Sequence, residues 1–255
     1  MIFLKVLVED KVLDGSNLAS EHGLSFYIET PAQKFIFDCG QTDLAWKNAL
    51  KLGVDLHGIN FAVISHAHYD HAGGFPALLK FANLKKIYTG RNFWLEKFSK
   101  TAEGYKYRGA GFTFQDLARR QIEQKVCDDI LEIGKDCWLI GNFDTRYKVS
   151  IPEKFVRGEN KIPDNFDDEI CLVLREGDGA AVVVGCAHVG ILNIVATVQK
   201  RLDLPIKTVI GGIHSDDMKI FARLEDFGVE NFYLCHCTGE NLRADFATGS
   251  TLKID

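Results

Sequence analysis

Three histidines and one aspartate fall within six residues of the stretch Ser65-His66-Ala67-His68-Tyr69-Asp70-His71-Ala72-Gly73-Gly74. The stretch follows the apolar run Phe61-Ala-Val-Ile-Ser65 and leads into a helical pattern, so it reads as a strand-to-helix turn. His66 and His68 stand two apart in an extended segment and project to the same side, where they can grip one cation. Asp70 and His71, turning into the helix, can reach a second cation beside it. Isolated histidines at such a turn are ordinarily surface or capping residues. An H-x-H-x-D-H cluster is different, because imidazole and carboxylate together are a common ligand set for zinc and similar ions. The chemistry this suggests is hydrolysis by metal-activated water. Gly73-Gly74 is read as letting the backbone turn tightly.

More ligands are needed, and the sequence restricts their source. Beyond the cluster the histidines are His22, His57, His188, His214 and His236. His188 in Gly185-Cys186-Ala187-His188, His214 in Gly211-Gly212-Ile213-His214 and His236 in Cys235-His236-Cys237 each end an apolar strand just before a helix. Strand ends that deliver side chains to one edge of a sheet are where an open α/β site belongs. Cys186 reads equally as a metal thiolate or a redox-sensitive neighbour. Cys235 and Cys237 flank His236, so strand alternation turns both away from it into the apolar interior. Asp38 in Phe37-Asp38-Cys39-Gly40 reads either as bonding backbone amides near the cluster or as a helix cap. Asp38 and His22 are also candidate substrate contacts, and His57 reads as surface.

The elements that must position these residues alternate along the chain. Strands are expected at 2–8, 24–29, 34–38, 61–65, 85–89, 137–140, 170–175, 180–185, 206–210 and 231–236. Glu176-Gly177-Asp178-Gly179 joins two of them as a hairpin. Helices are expected at 42–52, 74–83, 189–201, 216–227 with Ser215 as N-cap, and 239–247 with Thr238 as N-cap. Residues 90–165 are polar and basic and read as an insertion over the site. Their aromatics, Phe93, Trp94, Phe98, Tyr105, Tyr107, Phe112 and Phe114, suit either a stacking surface or an insertion core. With no repeat or linker, one domain spanning 1–255 is expected.

The 255 residues carry 46% hydrophobic and 25% charged side chains, which excludes disorder, collagen-like repeats and coiled coil. A net charge of −5 argues against nucleic acid as a partner. The first residues, broken by Lys5 and Glu9, read as a strand and not a signal peptide. No apolar run is long enough for a membrane span. Seven cysteines do not form a disulfide framework. A cytoplasmic protein with a small-molecule substrate, and with neither nucleic-acid nor membrane partners, is expected.

Phe37-Asp38-Cys39-Gly40, the Ser65–His71 motif, His188 and His236 together resemble the metallo-β-lactamase superfamily. The resemblance implies an α/β fold, an αββα sandwich of two mixed sheets flanked by helices, with metals in a cleft at one edge. It implies that His66 and His68 bind one metal, and that Asp70, His71 and His236 bind another. Two segments depart from the family pattern. The usual Pro-Gly-His segment reads Asn165-Phe166-Asp167-Asp168-Glu169. The Gly-Asp that usually bridges two metals reads Gly185-Cys186. His188 is then the candidate for completing the first metal. His22-Gly23-Leu24-Ser25, Gly-Cys-Ala-His-Val-Gly-Ile, Gly-Gly-Ile-His and His-Cys-Thr-Gly resemble the branch named for dihydropterin–ribofuranosylaminobenzene 5′-phosphate synthase. The implied protein holds one or two divalent transition-metal ions, zinc first, with manganese or iron as alternatives. It hydrolyses a phosphate-bearing or ester-type small molecule, Asp70 orienting water and His214 binding an oxyanion or donating a proton. A pterin-type synthase acting on a phosphorylated ribosyl substrate and a non-catalytic metal or redox sensor are the rival readings.

Overall fold

The computed structural model describes residues 1–149, 151–242 and 246–254. Its first half runs β1 (Ile2–Val8), β2 (Ser25–Glu29), β3 (Lys34–Phe37), α1 (Leu44–Lys51), β4 (Phe61–Val63), α2 (Tyr69–Ala72), α3 (Phe75–Leu78), β5 (Lys86–Gly90), β6 (Lys97–Thr101), β7 (Gly104–Tyr107), α4 (Phe114–Arg119) and β8 (Glu123–Cys127). The second half runs β9 (Ile130–Gly134), β10 (Cys137–Ile140), β11 (Phe155–Arg157), β12 (Ile162–Pro163), β13 (Cys171–Glu176), β14 (Gly179–Val184), α5 (Ile191–Leu202), β15 (Ile206–Gly211), α6 (Lys219–Glu225), β16 (Asn231–Leu234) and β17 (Thr251–Ile254).

Seven strands form one sheet in the order β17-β1-β2-β3-β4-β5-β8, and six form a second in the order β16-β15-β14-β13-β10-β9. Side-chain alternation along each strand then divides the apolar residues into three cores. In β13, Leu172 and Leu174 face the other sheet while Val173 faces outward. Between the sheets, Leu4, Phe26, Phe35 and Phe37 meet Leu139, Leu172, Ala181 and Ile210. On the far side of the first sheet, Tyr27, Ile36 and Ile87 pack against Trp46, Phe75, Leu78 and Leu117 of α1, α3 and α4. On the far side of the second, Val173, Val182 and Val209 pack against α5 and α6. The stripe Ile191, Ile194, Val195 and Val198 gives α5 its buried face at helical spacing, each side chain contributing about 1.5–3 kcal/mol. Helix, sheet, sheet and helix layers make the αββα sandwich.

Strand direction places the chemistry. β3, β4 and β5 pair in parallel, and so do β14, β15 and β16, with α5 and α6 as crossovers. Parallel strands end on the same side, so each sheet collects several C-terminal strand ends at one edge.

The expected strands are all present, with boundaries within two residues. Residues 90–165 prove the least regular stretch: β8 extends the first sheet, β9 and β10 extend the second, and β6, β7, β11 and β12 form a small third sheet. Phe93 and Phe112 lie in the helix-covered core of the first sheet, while Tyr105, Tyr107 and Phe114 are exposed. The expected helix at 216–227 starts later, at Lys219, because the Ser215 hydroxyl accepts from Asp217 N–H in a local turn instead of capping. Thr238 likewise accepts from Ile213 N–H, and a short 3-10 turn, Glu240–Leu242, follows it. Residues 243–245 of the helix expected at 239–247 lie outside the described residues. Gly73 and Gly74 keep ordinary helical dihedrals. Their small size serves close approach, since a Cβ on Gly74 would stand 2.0 Å from the Cys39 carbonyl oxygen.

Candidate metal centre

The loop after β4 carries His66 and His68, α2 carries Asp70 and His71, and the ends of β14, β15 and β16 bring Cys186 and His188, His214, and His236 and Cys237 to the same cleft. The expectation of a single sheet edge becomes a seam between two sheets. Asp38, Ala187, His214 and His236 all have left-handed backbones, with φ of 58°, 52°, 44° and 54°. Such conformations cost about 1–3 kcal/mol at a non-glycine residue and concentrate where a side chain must be aimed.

Two groups of donors result. In the first, ligand atoms of His66, His68 and His188 lie within 4.8 Å of one another. Burial drives the pKa of His66 and His188 well below the ordinary imidazole value and that of His68 down to about 3, so all three are neutral. Their tautomers follow from the network. Ser65 Oγ donates to Asp38 Oδ2 at 2.8 Å, so the 2.9 Å contact from His66 Nδ1 to Ser65 Oγ makes the ring nitrogen the donor. That leaves the lone pair of His66 on Nε2, and both His66 Nε2 and His188 Nε2 are buried without a hydrogen-bond partner. An orphaned buried acceptor costs about 1–3 kcal/mol unless something binds it.

In the second group, His71 Nε2 lies 3.1 Å from His236 Nε2, and Asp70 Oδ2 lies 3.8 Å and 3.5 Å from those nitrogens. Two ligands each ~2.1 Å from a tetrahedral ion stand roughly 3.4 Å apart, so this triangle has the dimensions of one face of a coordination shell. Asp38 Oδ2 accepts from His71 Nδ1 at 2.6 Å, and Asp10 Oδ1 accepts from His236 Nδ1 at 2.8 Å. Both rings therefore turn Nε2 toward each other, an arrangement that requires a proton or a cation between them. Burial disfavours charge on His236, but its bonds to Asp10 and Asp70 outweigh burial and hold its pKa well above the ordinary value. The proton there stands where a cation fits. Asp70 is held well below the carboxylate range: burial opposes this, and His71, His22 and His236 prevail.

Cys186 Sγ lies 3.1 Å from His71 Nε2 and within 4.8 Å of ligand atoms of both groups. It occupies the position between them. Burial pushes its thiol pKa well above the ordinary value.

The structure corrects two expectations. Asp38 makes no substrate contact: it is wholly buried, and its oxygens accept from Ser65 N–H, Ser65 Oγ and His71 Nδ1. Cys237 does not face the core with Cys235. The left-handed turn at His236 ends strand alternation and swings Cys237 into the cleft, where it approaches Cys186. His22 reaches the cleft, its Nε2 3.3 Å from Asp70 Oδ2, with a pKa raised to about 9 by its bonds to Asp10 and then Asp70. His214 stands exposed at the mouth, its ring 4.6 Å from that of His188, and His57 is on the surface.

Several supporting residues escaped the sequence reading. Asp168 Oδ2 accepts from Ala67 N–H, between the first two histidines, and Glu169 accepts from the N–H of His188 and Val189. The segment that lacks the family's histidine thus holds both ligand-bearing loops by their backbones. Buried Lys97 neutralises Asp168 and Asp164 at 2.7 and 2.8 Å. Three successive charges, Asp167-Asp168-Glu169, immediately before an apolar strand were the available signal.

A cavity of about 430 Å³ opens over the donors and is lined by Lys100 of β6, by Arg108 just after β7 and by Lys154 just before β11, beside the third sheet. Arg108 donates to Ser99 Oγ and Tyr69 Oη and lies over the Tyr69 ring. Among the described residues, none of these three cations pairs with a carboxylate.

Comparison with known proteins agrees with this geometry. The chain is 24% identical over 243 residues to the uncharacterized protein MJ0448 of Methanocaldococcus jannaschii, covering 92% of this chain and 90% of that one. It is 27% identical over 262 residues to the 7,8-dihydropterin-6-methyl-4-(beta-D-ribofuranosyl)-aminobenzene-5'-phosphate synthase of the same organism, covering 93% and 88%. The crystal structure of Tm1679, a metal-dependent hydrolase of the beta-lactamase superfamily, superposes with a TM-score of 0.83 at 32% identity, covering 100% of this chain and 99% of that one. The model of the metallo-beta-lactamase superfamily matches residues 21–191. The chain belongs to the metallo-beta-lactamase superfamily.

Proposed function

We propose that the chain is a metal-dependent hydrolase whose substrate is a small molecule bearing a phosphate. One observation carries the choice of substrate: the cavity over the donor clusters holds three cations without carboxylate partners, in a chain of net charge −5. Three cations gathered on one cavity wall without carboxylate partners, Arg108 half-buried and Lys100 and Lys154 exposed, favour a multiply charged anion. His66, His68 and His188 would hold one divalent ion; Asp70, His71 and His236 would hold another, with Cys186 between them. Zinc suits this nitrogen, oxygen and sulfur set, and manganese or iron are the alternatives. When bound, the ions supply Lewis acidity that polarises a phosphoryl oxygen and activates water.

The protein's own groups do the rest. Asp38 fixes the ring orientation of His71 directly and that of His66 through Ser65. Arg108, held in place by Ser99 and Tyr69, orients the anion. Asp70 accepts a hydrogen bond from the attacking water. His214, exposed beside His188, offers a proton to the leaving oxygen. A panel of phosphate esters and uncharged esters, assayed with added zinc, manganese or iron, tests the reading. His68→Ala should abolish turnover with the fold retained. Arg108→Ala should lower kcat/KM for phosphate esters by about 10–100-fold and leave uncharged esters nearly untouched. Full activity in the first variant, or equal losses for both ester classes in the second, would count against it. The likeness to the pterin-pathway synthase favours a second reading, a synthase acting on a phosphorylated ribosyl substrate. Pyrophosphate release that requires a pterin partner would select that reading.

A further inference from the structure

Of the seven cysteines, Cys186 and Cys237 line the cavity. They follow β14 and β16, strands separated by β15, yet their sulfurs lie within 4.8 Å of each other, and Cys237 Sγ donates to the Cys186 carbonyl oxygen at 3.8 Å. Two features bring them together. The left-handed backbone of His236 turns Cys237 toward the cleft. The residue that follows the intervening strand is Gly212, where a Cβ would stand 2.6 Å from Cys237 Sγ, so any larger residue would fill the space the thiol occupies. Cys186 is buried in the cavity wall and Cys237 is half-buried beside it.

We infer that Cys186 and Cys237 are a modification site, closed to a reversible disulfide by a small hydroperoxide that enters the cavity. The more accessible Cys237 thiol takes one oxygen from the hydroperoxide, giving a sulfenic acid and releasing the alcohol or water. The Cys186 thiol then displaces the hydroxyl group as water, and the S–S bond forms. Two thiols lose two electrons and two protons, and the hydroperoxide accepts them. The bond draws the Cys186 sulfur away from the position between the two donor groups. That last consequence rests on the metal-centre reading above, whereas the bond itself does not.

The test treats chelated protein with hydrogen peroxide, denatures it and counts free thiols. The count should fall from seven to five, peptides containing Cys186 and Cys237 should become linked, and a thiol reductant should restore seven. Cys237→Ser should give no linked pair. Seven thiols after treatment, or a link between any other pair, would overturn the inference. Zinc titration of the peroxide-treated protein separates the two parts: affinity should fall at least tenfold, recover with reductant and stay high in treated Cys237→Ser. A linked pair with unchanged zinc affinity would refute the withdrawal of Cys186 and leave the hydrolase reading intact.

Discussion

Replacing Asp38 by Asn changes almost no volume and leaves the left-handed backbone tolerable, so its effect isolates what the carboxylate does. Oδ1 accepts from Ser65 N–H at 2.7 Å, while Oδ2 accepts from Ser65 Oγ at 2.8 Å and His71 Nδ1 at 2.6 Å. An amide cannot satisfy all three donors. With its oxygen toward Ser65 N–H, its NH2 faces His71 Nδ1 and forces that nitrogen to accept. The ring proton then moves to Nε2, the nitrogen aimed at the second ion, which cannot bind until the tautomer reverts. With the amide flipped, NH2 opposes the buried Ser65 N–H. Either choice costs about 1–3 kcal/mol, which amounts to roughly 10–100-fold in affinity for the second ion. Competition titration against a chromophoric zinc chelator at neutral pH should show one site weakened by that factor. The other should be nearly unchanged, because Ser65 Oγ still accepts from His66. Thermal unfolding should shift by about 2–4 °C per kcal/mol lost. Wild-type affinity at both sites, or equal loss at both, would refute the tautomer argument.

The two donor groups should differ in pH dependence. His236 has a pKa raised well above its ordinary value and is protonated at neutral pH, so the second ion must displace that proton, and affinity should rise about tenfold per pH unit between ~6 and ~8. Burial already keeps His66, His68 and His188 neutral, so the first ion should bind with little pH dependence over the same range. Calorimetry in buffers of different ionisation enthalpy counts the protons, and equal release at both sites would defeat the assignment. Lys97→Met should destabilise the fold by about 3–5 kcal/mol, because Asp164 and Asp168 would remain buried without a countercharge. Chemical denaturation measures this, and a loss below about 1 kcal/mol would show that the triad is not needed.

The histidine cluster was legible because its residue types have few other uses at such spacing, and β13–β14 because an apolar pair brackets Glu176-Gly177-Asp178-Gly179. The ends of β14, β15 and β16 were equally plain, since apolar runs stop there just short of a histidine. What stayed hidden has a physical cause in each instance. β8 and β9 terminate their sheets, so residues such as Gln124, Lys125 and Glu132 need no buried face and the alternation that marks a strand is lost. Lys97 looks like a surface residue because its partners lie 67 and 71 positions away. Cys237 was assigned the wrong side because strand alternation was extended through a residue whose φ is +54°. Asp10 and Glu9, which orient His236, are 226 and 227 positions from it, beyond any local pattern.

Those separations set an order of assembly. The first donor group spans positions 66 to 188, whereas the second needs residue 236 together with Asp10. A chain emerging from the ribosome can therefore complete one pocket once β14 has paired, while the other waits until β16 docks and the two ends of the sequence meet. On the proposed two-ion reading, each ion would tie one sheet to the other, and its binding free energy would add directly to the cohesion of the sandwich: about 4 kcal/mol when free metal exceeds the dissociation constant a thousandfold. Metal supply would then govern the lifetime of the folded protein as well as its chemistry, with the later-formed pocket acting as the clasp.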